Sequence, residues 1–174
     1  AWDTQRRRWY ELNPDADEVF RALRRFNLRR MQVEVDKSYQ ALQETPDGLR
    51  VQDRRAGRIT AGARELAGAM NGLHLGAGLR AEFRSTDQHR GVLILSGPGL
   101  DPAVSDTDPG DAASPGYLRR CAALRPAAAA TAAGINEFLQ QAQRILPGHA
   151  VNRRREDAGQ PPANGILTRG AGAG

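Results

Sequence analysis

Gly91-Val92-Leu93-Ile94-Leu95 is the stretch that most limits what this chain can become. A continuous apolar run of this length, opened by a turn signal, reads as a strand in the middle of a sheet and buried on both faces. A central strand needs neighbours. Leu79-Arg80-Ala81-Glu82-Phe83-Arg84 alternates as a strand and is joined to the run by Thr86-Asp87-Gln88-His89-Arg90, a hairpin connection. Leu49-Arg50-Val51-Gln52-Asp53 alternates after Pro46-Asp47-Gly48, where proline presets one dihedral and glycine permits a positive one. Gly165-Ile166-Leu167-Thr168 reads as one more short strand, and Met31-Gln32-Val33-Glu34-Val35 also alternates.

Helical spacing appears in three places. Val19, Phe20, Leu23 and Phe26 follow the cap-and-turn signal Asn13-Pro14-Asp15, so the segment from Trp2 to about Leu42 reads as helical with a basic face. Thr60 reads as the cap of a helix whose stripe is Ala63, Leu66, Ala67 and Met70, ending near Asn71-Gly72. The third helix runs from Thr131 to Leu146, with Ile135, Phe138, Leu139, Ala142 and Leu146 on one side and Pro147-Gly148 as its stop. Gly97 to Gly116 is rich in Gly, Pro, Ser and Asp and reads as a surface loop or lid. The expected fold is therefore α+β: a mainly antiparallel sheet of about four strands with two or three helices packed on it. Residues 1–45 form a helical N-terminal segment and residues 46–174 the remaining domain with its C-terminal return segment.

With 174 residues the chain can bury a core of one domain, but only 5% of it is aromatic, so that core is built on Ala, Leu and Val. The net charge of +5 is carried by arginine, because Lys37 is the only lysine. Arginine forks bind phosphate or carboxylate through paired hydrogen bonds, which makes anion recognition the first functional reading. The basic residues are interspersed with 20 acids, and no zinc-finger spacing or aromatic RNA-binding signature accompanies them, which argues against a nucleic-acid interface. Cys121 is the only cysteine, so no intrachain disulfide forms and a reducing cytoplasm fits. No apolar run is long enough for a membrane span. The chain starts at Ala1 rather than at a methionine and ends in Gly170-Ala171-Gly172-Ala173-Gly174, so both ends read as cut from something longer.

Two clusters concentrate the anion-binding chemistry. Arg54, Arg55 and Arg58 sit where a strand hands over to a helix, a place where loops commonly carry function. Asn152-Arg153-Arg154-Arg155 precedes Pro161-Pro162-Ala163-Asn164, combining guanidinium forks, orienting amides and a stiffened turn. His89-Arg90 stands at the entrance of the apolar strand, which fixes side chains better than a free loop does. Asp106 and Asp108 could ligate a hard cation or make an Asx-type turn before Pro109. His74, His89 and His149 lie far apart, and none has a partner at metal-ligand spacing.

Asp53-Arg54-Arg55-Ala56-Gly57-Arg58-Ile59, His89-Arg90-Gly91-Val92-Leu93-Ile94-Leu95, Ser105-Asp106-Thr107-Asp108-Pro109, Asn136-Glu137-Phe138, and Asn152-Arg153-Arg154-Arg155 with Pro161-Pro162-Ala163-Asn164 and Leu167-Thr168-Arg169-Gly170-Ala171-Gly172 occur in this order. Together they resemble the inner part of an archaeal-type 2,3-bisphosphoglycerate-independent phosphoglycerate mutase, a branch of the alkaline phosphatase superfamily, from about Asp47 to the end. The resemblance implies an inserted cap domain that helps hold 3- or 2-phosphoglycerate in a glycolytic isomerase. It further implies that the phosphate-accepting serine and the ligands of a divalent metal (Mn, Mg or Zn) lie in core segments outside this chain, which alone would be inactive and hold no metal. By position it implies substrate contacts or cap closure for Arg54, Arg55, Arg58, His89, Arg90, Asp106, Asp108, Asn152, Arg153, Arg155 and Asn164. The family's Arg-x-Asn-Phe segment is replaced before the turn by Lys37-Ser38-Tyr39-Gln40-Ala41-Leu42, while Arg25-Phe26-Asn27-Leu28 is similar but displaced, which leaves the relation of residues 1–45 to the family open. The alternative from another class is a stand-alone basic module whose helix near Arg21 to Arg30 contacts a protein or nucleic acid.

Overall fold

The longest strand is also the most connected. In a computed structural model that describes residues 31–110 and 116–173, strand β1 (Met31–Thr45) pairs antiparallel with three others. Along Met31–Ser38 it pairs with β5 (Arg90–Gly97), along Val33–Gln40 with β6 (Gly165–Ala173), and along Ala41–Thr45 with β2 (Gly48–Asp53). β5 continues into β4 (Arg80–Ser85), and β4 into the two-residue β3 (Leu73–His74). The described sheet therefore has six strands, not about four, all antiparallel.

The difference arises at β1. Helical spacing in the N-terminal third had suggested a helix through Leu42, but residues 31–45 are extended, and the Met31–Val35 alternation belongs to a strand three times that length. The part of that helix carrying Val19 to Phe26 lies outside the described residues. So does the alternative contact surface near Arg21 to Arg30. Met31 onward belongs to one compact unit with the rest of the described chain, so a boundary at residue 45 would fall at the end of β1 rather than ahead of it.

The Pro46-Asp47 turn behaves as read, with Thr45 opposite Gly48 and Gly48 at φ 128°. β5 does lie between two strands, β1 and β4, but it is not buried on both faces. Gly91, Leu93 and Leu95 are buried while Val92 and Ile94 are half-buried, because the helices cover one face.

Helix α1 (Ala63–Met70) buries Ala63, Leu66, Ala67 and Met70, the stripe read from sequence. Its cap is Gly62 at φ 85° rather than Thr60, whose hydroxyl makes no capping bond; the chain needs a left-handed residue to enter the helix there. Helix α2 (Ala129–Ile145) buries Ile135, Phe138, Leu139 and Ala142, with Leu146 buried just beyond it. Phe138 packs on Phe83 of β4 at 5.4 Å between ring centroids, and Phe83 meets Tyr39 of β1 edge-on at 6.0 Å. Tyr39 then donates its hydroxyl to the Ala63 carbonyl at 2.9 Å, tying β1 to α1. Helix α3 (Ala150–Asp157) follows, with the His149 imidazole accepting from the Val151 amide at 3.2 Å as its cap.

The segment read as a loop or lid is held down over much of its length. Val104 and Thr107 are buried, the Thr107 amide donates to the Thr168 carbonyl of β6 at 3.0 Å, and Thr107 Oγ1 accepts from the Thr168 amide at 2.8 Å. Farther along, the Val51 amide of β2 donates to the Gly116 carbonyl and the Leu118 amide to the Leu49 carbonyl, both at 2.8 Å. Gly-, Pro-, Ser- and Asp-rich composition does not reveal such docking, since loop composition and backbone pairing are independent.

Phe138 is fully buried at the contact between α2 and the sheet. Phe138→Ala is expected to lower unfolding free energy by about 3–5 kcal/mol in a urea titration, the usual cost of an aromatic cavity.

Candidate anion-binding site

Between Tyr39 and Ala41, β1 changes partner. The Tyr39 amide donates to the His89 carbonyl at 2.8 Å, just ahead of β5, and Ala41 stands opposite Asp53, the last residue of β2. The end of one partner strand and the start of the other thus meet over three residues of β1. Each carries a basic motif at that point: Arg54, Arg55 and Arg58 after Asp53, and His89-Arg90 at the head of β5.

The arginine turn has an unusual backbone. Ala56, Gly57 and Arg58 stand in succession at φ 46°, 62° and 53°, and two of the three carry a side chain that disfavours this region by about 1 kcal/mol or more. The turn survives because it is tied at both ends. Ala56 and Ile59 are buried in the core, and the Asp53 carboxylate accepts from the Arg55 amide at 2.8 Å and the Gly57 amide at 3.1 Å. Arg55 and Arg58 are left exposed.

His89 lies half-buried inside the resulting field. Burial holds its imidazole below the ordinary pKa, and the guanidinium groups of Arg90, Arg55 and Arg58 push the same way, with Asp53 alone opposing. These effects favour the neutral ring, and its Nδ1 is buried with no hydrogen-bond partner among the described residues. Gln40, 2% exposed and at the centre of the partner switch, likewise keeps Oε1 without a partner among the described residues. An open groove of about 290 Å³ runs beside this cluster, between the start of α1 (Thr60 to Glu65) and the β4–β5 connection (Ser85 to Gln88).

The other residues singled out from sequence are placed differently. Arg54 pairs with Asp108: its Nη2 donates to both oxygens at 2.8 and 2.6 Å, and Arg169 stands 3.9 Å from the same carboxylate. Asp106 accepts from the Gly170 amide at 3.0 Å, so both aspartates fasten their loop to the arginine turn and β6. Asn152 is fully buried, donating to the Leu146 and Ala163 carbonyls and accepting from the Ala163 amide at 2.8 Å, and cannot reach a ligand. Asn164 spans Leu42, accepting from its amide at 2.7 Å and donating to its carbonyl at 3.0 Å, beside the irregularity at Ala41/Leu42. Arg153 is exposed on α3. Arg155 donates to the Pro161 carbonyl at 3.0 Å and to the Ala56 carbonyl at 2.7 Å. The geometry therefore gathers Arg55, Arg58, His89 and Arg90, and spends Arg54, Asp106, Asp108, Asn152, Arg155 and Asn164 on holding elements together.

Asp53 and Gln40 were missed. Asp53 reads from sequence as the tail of a strand, and only the positive φ values that follow show its carboxylate to be the anchor of the turn. Gln40 carries no signal in one sequence, because it falls in a segment whose upstream spacing reads as helical and whose pairing is irregular at Ala41/Leu42.

These features define a class: an antiparallel α+β domain that presents guanidinium groups and a neutral histidine at a strand-partner switch. A family-wide sequence model described as 2,3-bisphosphoglycerate-independent phosphoglycerate mutase matches residues 25–152, and the chain belongs to that family. Enzymes of this name from Ignicoccus hospitalis and Methanoculleus marisnigri are 40% identical over 136 residues and 46% identical over 128 residues, covering 78% and 72% of this chain. The chain spans about a third of their length, 33% and 31% respectively. The solved cofactor-independent phosphoglycerate mutase from Thermoplasma acidophilum superposes with a TM-score of 0.72 at 30% identity, over 82% of this chain and 37% of that one. The matched region opens at residue 25, ahead of the Asp47 start read from motifs.

Two outcomes follow from this geometry. Asn152→Ala removes three buried hydrogen bonds and is expected to cost about 2–3 kcal/mol in urea unfolding, since it strands backbone groups away from water. Because His89 has a lower pKa folded than unfolded, the unfolded chain binds the extra proton as pH falls below about 6.5. Stability should therefore decline on acidification through that window, and His89→Gln should flatten the decline in a pH series of thermal melts.

Proposed function

We propose that this chain is the cap region of a metal-dependent phosphoglycerate mutase that interconverts 3-phosphoglycerate and 2-phosphoglycerate, and that its part is to clamp the substrate's negative charge. The observation that carries this reading is the convergence of Arg55, Arg58 and Arg90 on His89 at the β1 partner switch. Phosphoglycerate carries a phosphate and a carboxylate. Several guanidinium forks around one neutral donor or acceptor suit such a molecule, because charge-assisted hydrogen bonds are strongest where water is partly excluded.

Arg55, Arg58 and Arg90 are the ligand-facing residues in this reading, His89 supplies orientation, and exposed Arg153 reaches the substrate only on closure. Closure over a separate catalytic core would exclude water and fix the reacting groups. The nucleophile and the divalent metal belong to that core. Among the described residues no three His, Cys, Asp or Glu side chains gather to hold a metal, and Asp106 and Asp108 are committed to Gly170 and to Arg54 with Arg169. The reading places the whole enzyme in the cytoplasm; no helix among the described residues is long and apolar enough to cross a membrane.

Titration of the 15N-labelled chain with 3-phosphoglycerate tests the proposal. Amide and guanidinium signals of Arg55, Arg58, His89 and Arg90 should shift together, and Arg58→Ala should weaken the apparent affinity about tenfold, the scale of one lost charge-assisted contact. Shifts confined to other parts of the domain would overturn the assignment. Mutase turnover by the purified chain in the presence of Mn or Mg would overturn the assignment of chemistry to a separate core.

A further inference from the structure

Arg153, Arg154 and Arg155 are consecutive on α3, yet they do different things. Arg153 is exposed, and Arg154 makes an exposed ion pair with Glu65 of α1 at 3.5 Å. Arg155 is half-buried and, among the described residues, hydrogen-bonds to no acid, although the Asp53 carboxylate acts on it electrostatically. Its Nε donates to the Pro161 carbonyl at 3.0 Å and its Nη2 to the Ala56 carbonyl at 2.7 Å, joining residues 99 positions apart. A half-buried guanidinium spent on two carbonyls needs a reason, because taking that charge even partly out of water has a cost.

The reason lies in what the Ala56 carbonyl belongs to. It opens the run Ala56-Gly57-Arg58, three successive left-handed residues, two of them with side chains. A short turn with this backbone relaxes unless its surroundings over-determine it. From inside, the Asp53 carboxylate takes the Arg55 and Gly57 amides. From outside, Pro161 and Arg155 press on the same point: a Cβ added at Gly57 would meet Pro161 Cδ at 3.2 Å and Arg155 Nη2 at 3.4 Å. The planar fork aims two separate nitrogens at the two carbonyls, a fixed geometry that the single nitrogen of lysine lacks.

We propose that Arg155 is a positioning residue: its guanidinium bridges the Pro161 and Ala56 carbonyls, holds the Ala56–Arg58 run left-handed, and thereby fixes Arg55 and Arg58 beside His89. It is then not a ligand of the bound anion, although the arginine run on α3 suggests one. What the turn is for rests on the proposed function above; that Arg155 sets its shape does not.

The test reads the turn directly. In Arg155→Gln, the His89 imidazole, followed by NMR pH titration, should rise in pKa, since Arg55, Arg58 and excluded water would no longer disfavour its charge as strongly. Hydrogen exchange at the Gly57 amide should accelerate about tenfold or more while the Phe138 amide of α2 keeps its protection, which separates loss of the clamp from general destabilisation. Arg155→Lys, which keeps the charge but offers one nitrogen in place of the two that the bridge uses, should fall between wild type and Arg155→Gln, and it serves if the glutamine variant does not fold. Combined with Arg58→Ala, the two effects on His89 should be strongly non-additive, because both remove the same field. An unchanged His89 titration and unchanged Gly57 exchange in a folded Arg155 variant would overturn the proposal, as would additive shifts. If phosphoglycerate fails to bind the wild-type chain, the substrate reading falls while the titration and exchange results still decide the clamp.

Discussion

The backbone ladder of β1 is the constraint from which the rest follows. Each residue of a strand offers its amide and carbonyl to one side or the other, and a fifteen-residue strand has more edge than one neighbour can occupy. β1 therefore takes β5 and β6 along its first part and β2 along its last. The handover is short, and whatever leaves β2 or enters β5 is forced into one small volume. The register places Asp53 and His89 there, so the arginines that follow or flank them become neighbours without any contact between their own side chains being required.

Against that frame the polar interior has a consistent purpose. Asn164 braces Leu42 beside the irregularity in the β1–β2 pairing, Asn152 joins the end of α2 to the Ala163 strand entry, and the Thr107–Thr168 pair fixes β6 to its neighbouring segment. Each amide or hydroxyl satisfies backbone groups that would otherwise be stranded in the core. Asp108 does the same with charge, holding Arg54 of the turn and standing near Arg169 of β6. The guanidinium groups thus divide into those that fasten and those that face solvent, and the division is set by whether a carbonyl or carboxylate lies within reach.

Much of this was legible in the sequence where periodicity and punctuation speak for themselves. The stripes of α1 and α2, the Pro46-Asp47 turn and the β4–β5 hairpin follow from side-chain spacing and local dihedral preference. β1 was not legible along its length: Gln40 to Thr45 shows no clean alternation, because a bulge at Ala41/Leu42 shifts the pairing, and helical spacing upstream masked the rest. For the site, the motifs singled out Arg55, Arg58, His89 and Arg90 together with seven other residues. They could not distinguish those residues from Arg54, Asn152, Arg155 or Asn164, because a side chain's partner is decided by tertiary register and burial rather than by residue type.

The segment between β5 and α2 has a further bearing on how the molecule behaves in company. Gly116 and Leu118 bond to β2, while Thr107 bonds to β6. Those margins, which in an uncovered sheet would offer a ladder of free donors and acceptors to a stranger's extended chain, are already taken. Glycine- and proline-rich sequence thus acts as edging where it bonds to β2 and β6, a role that its composition alone would not signal.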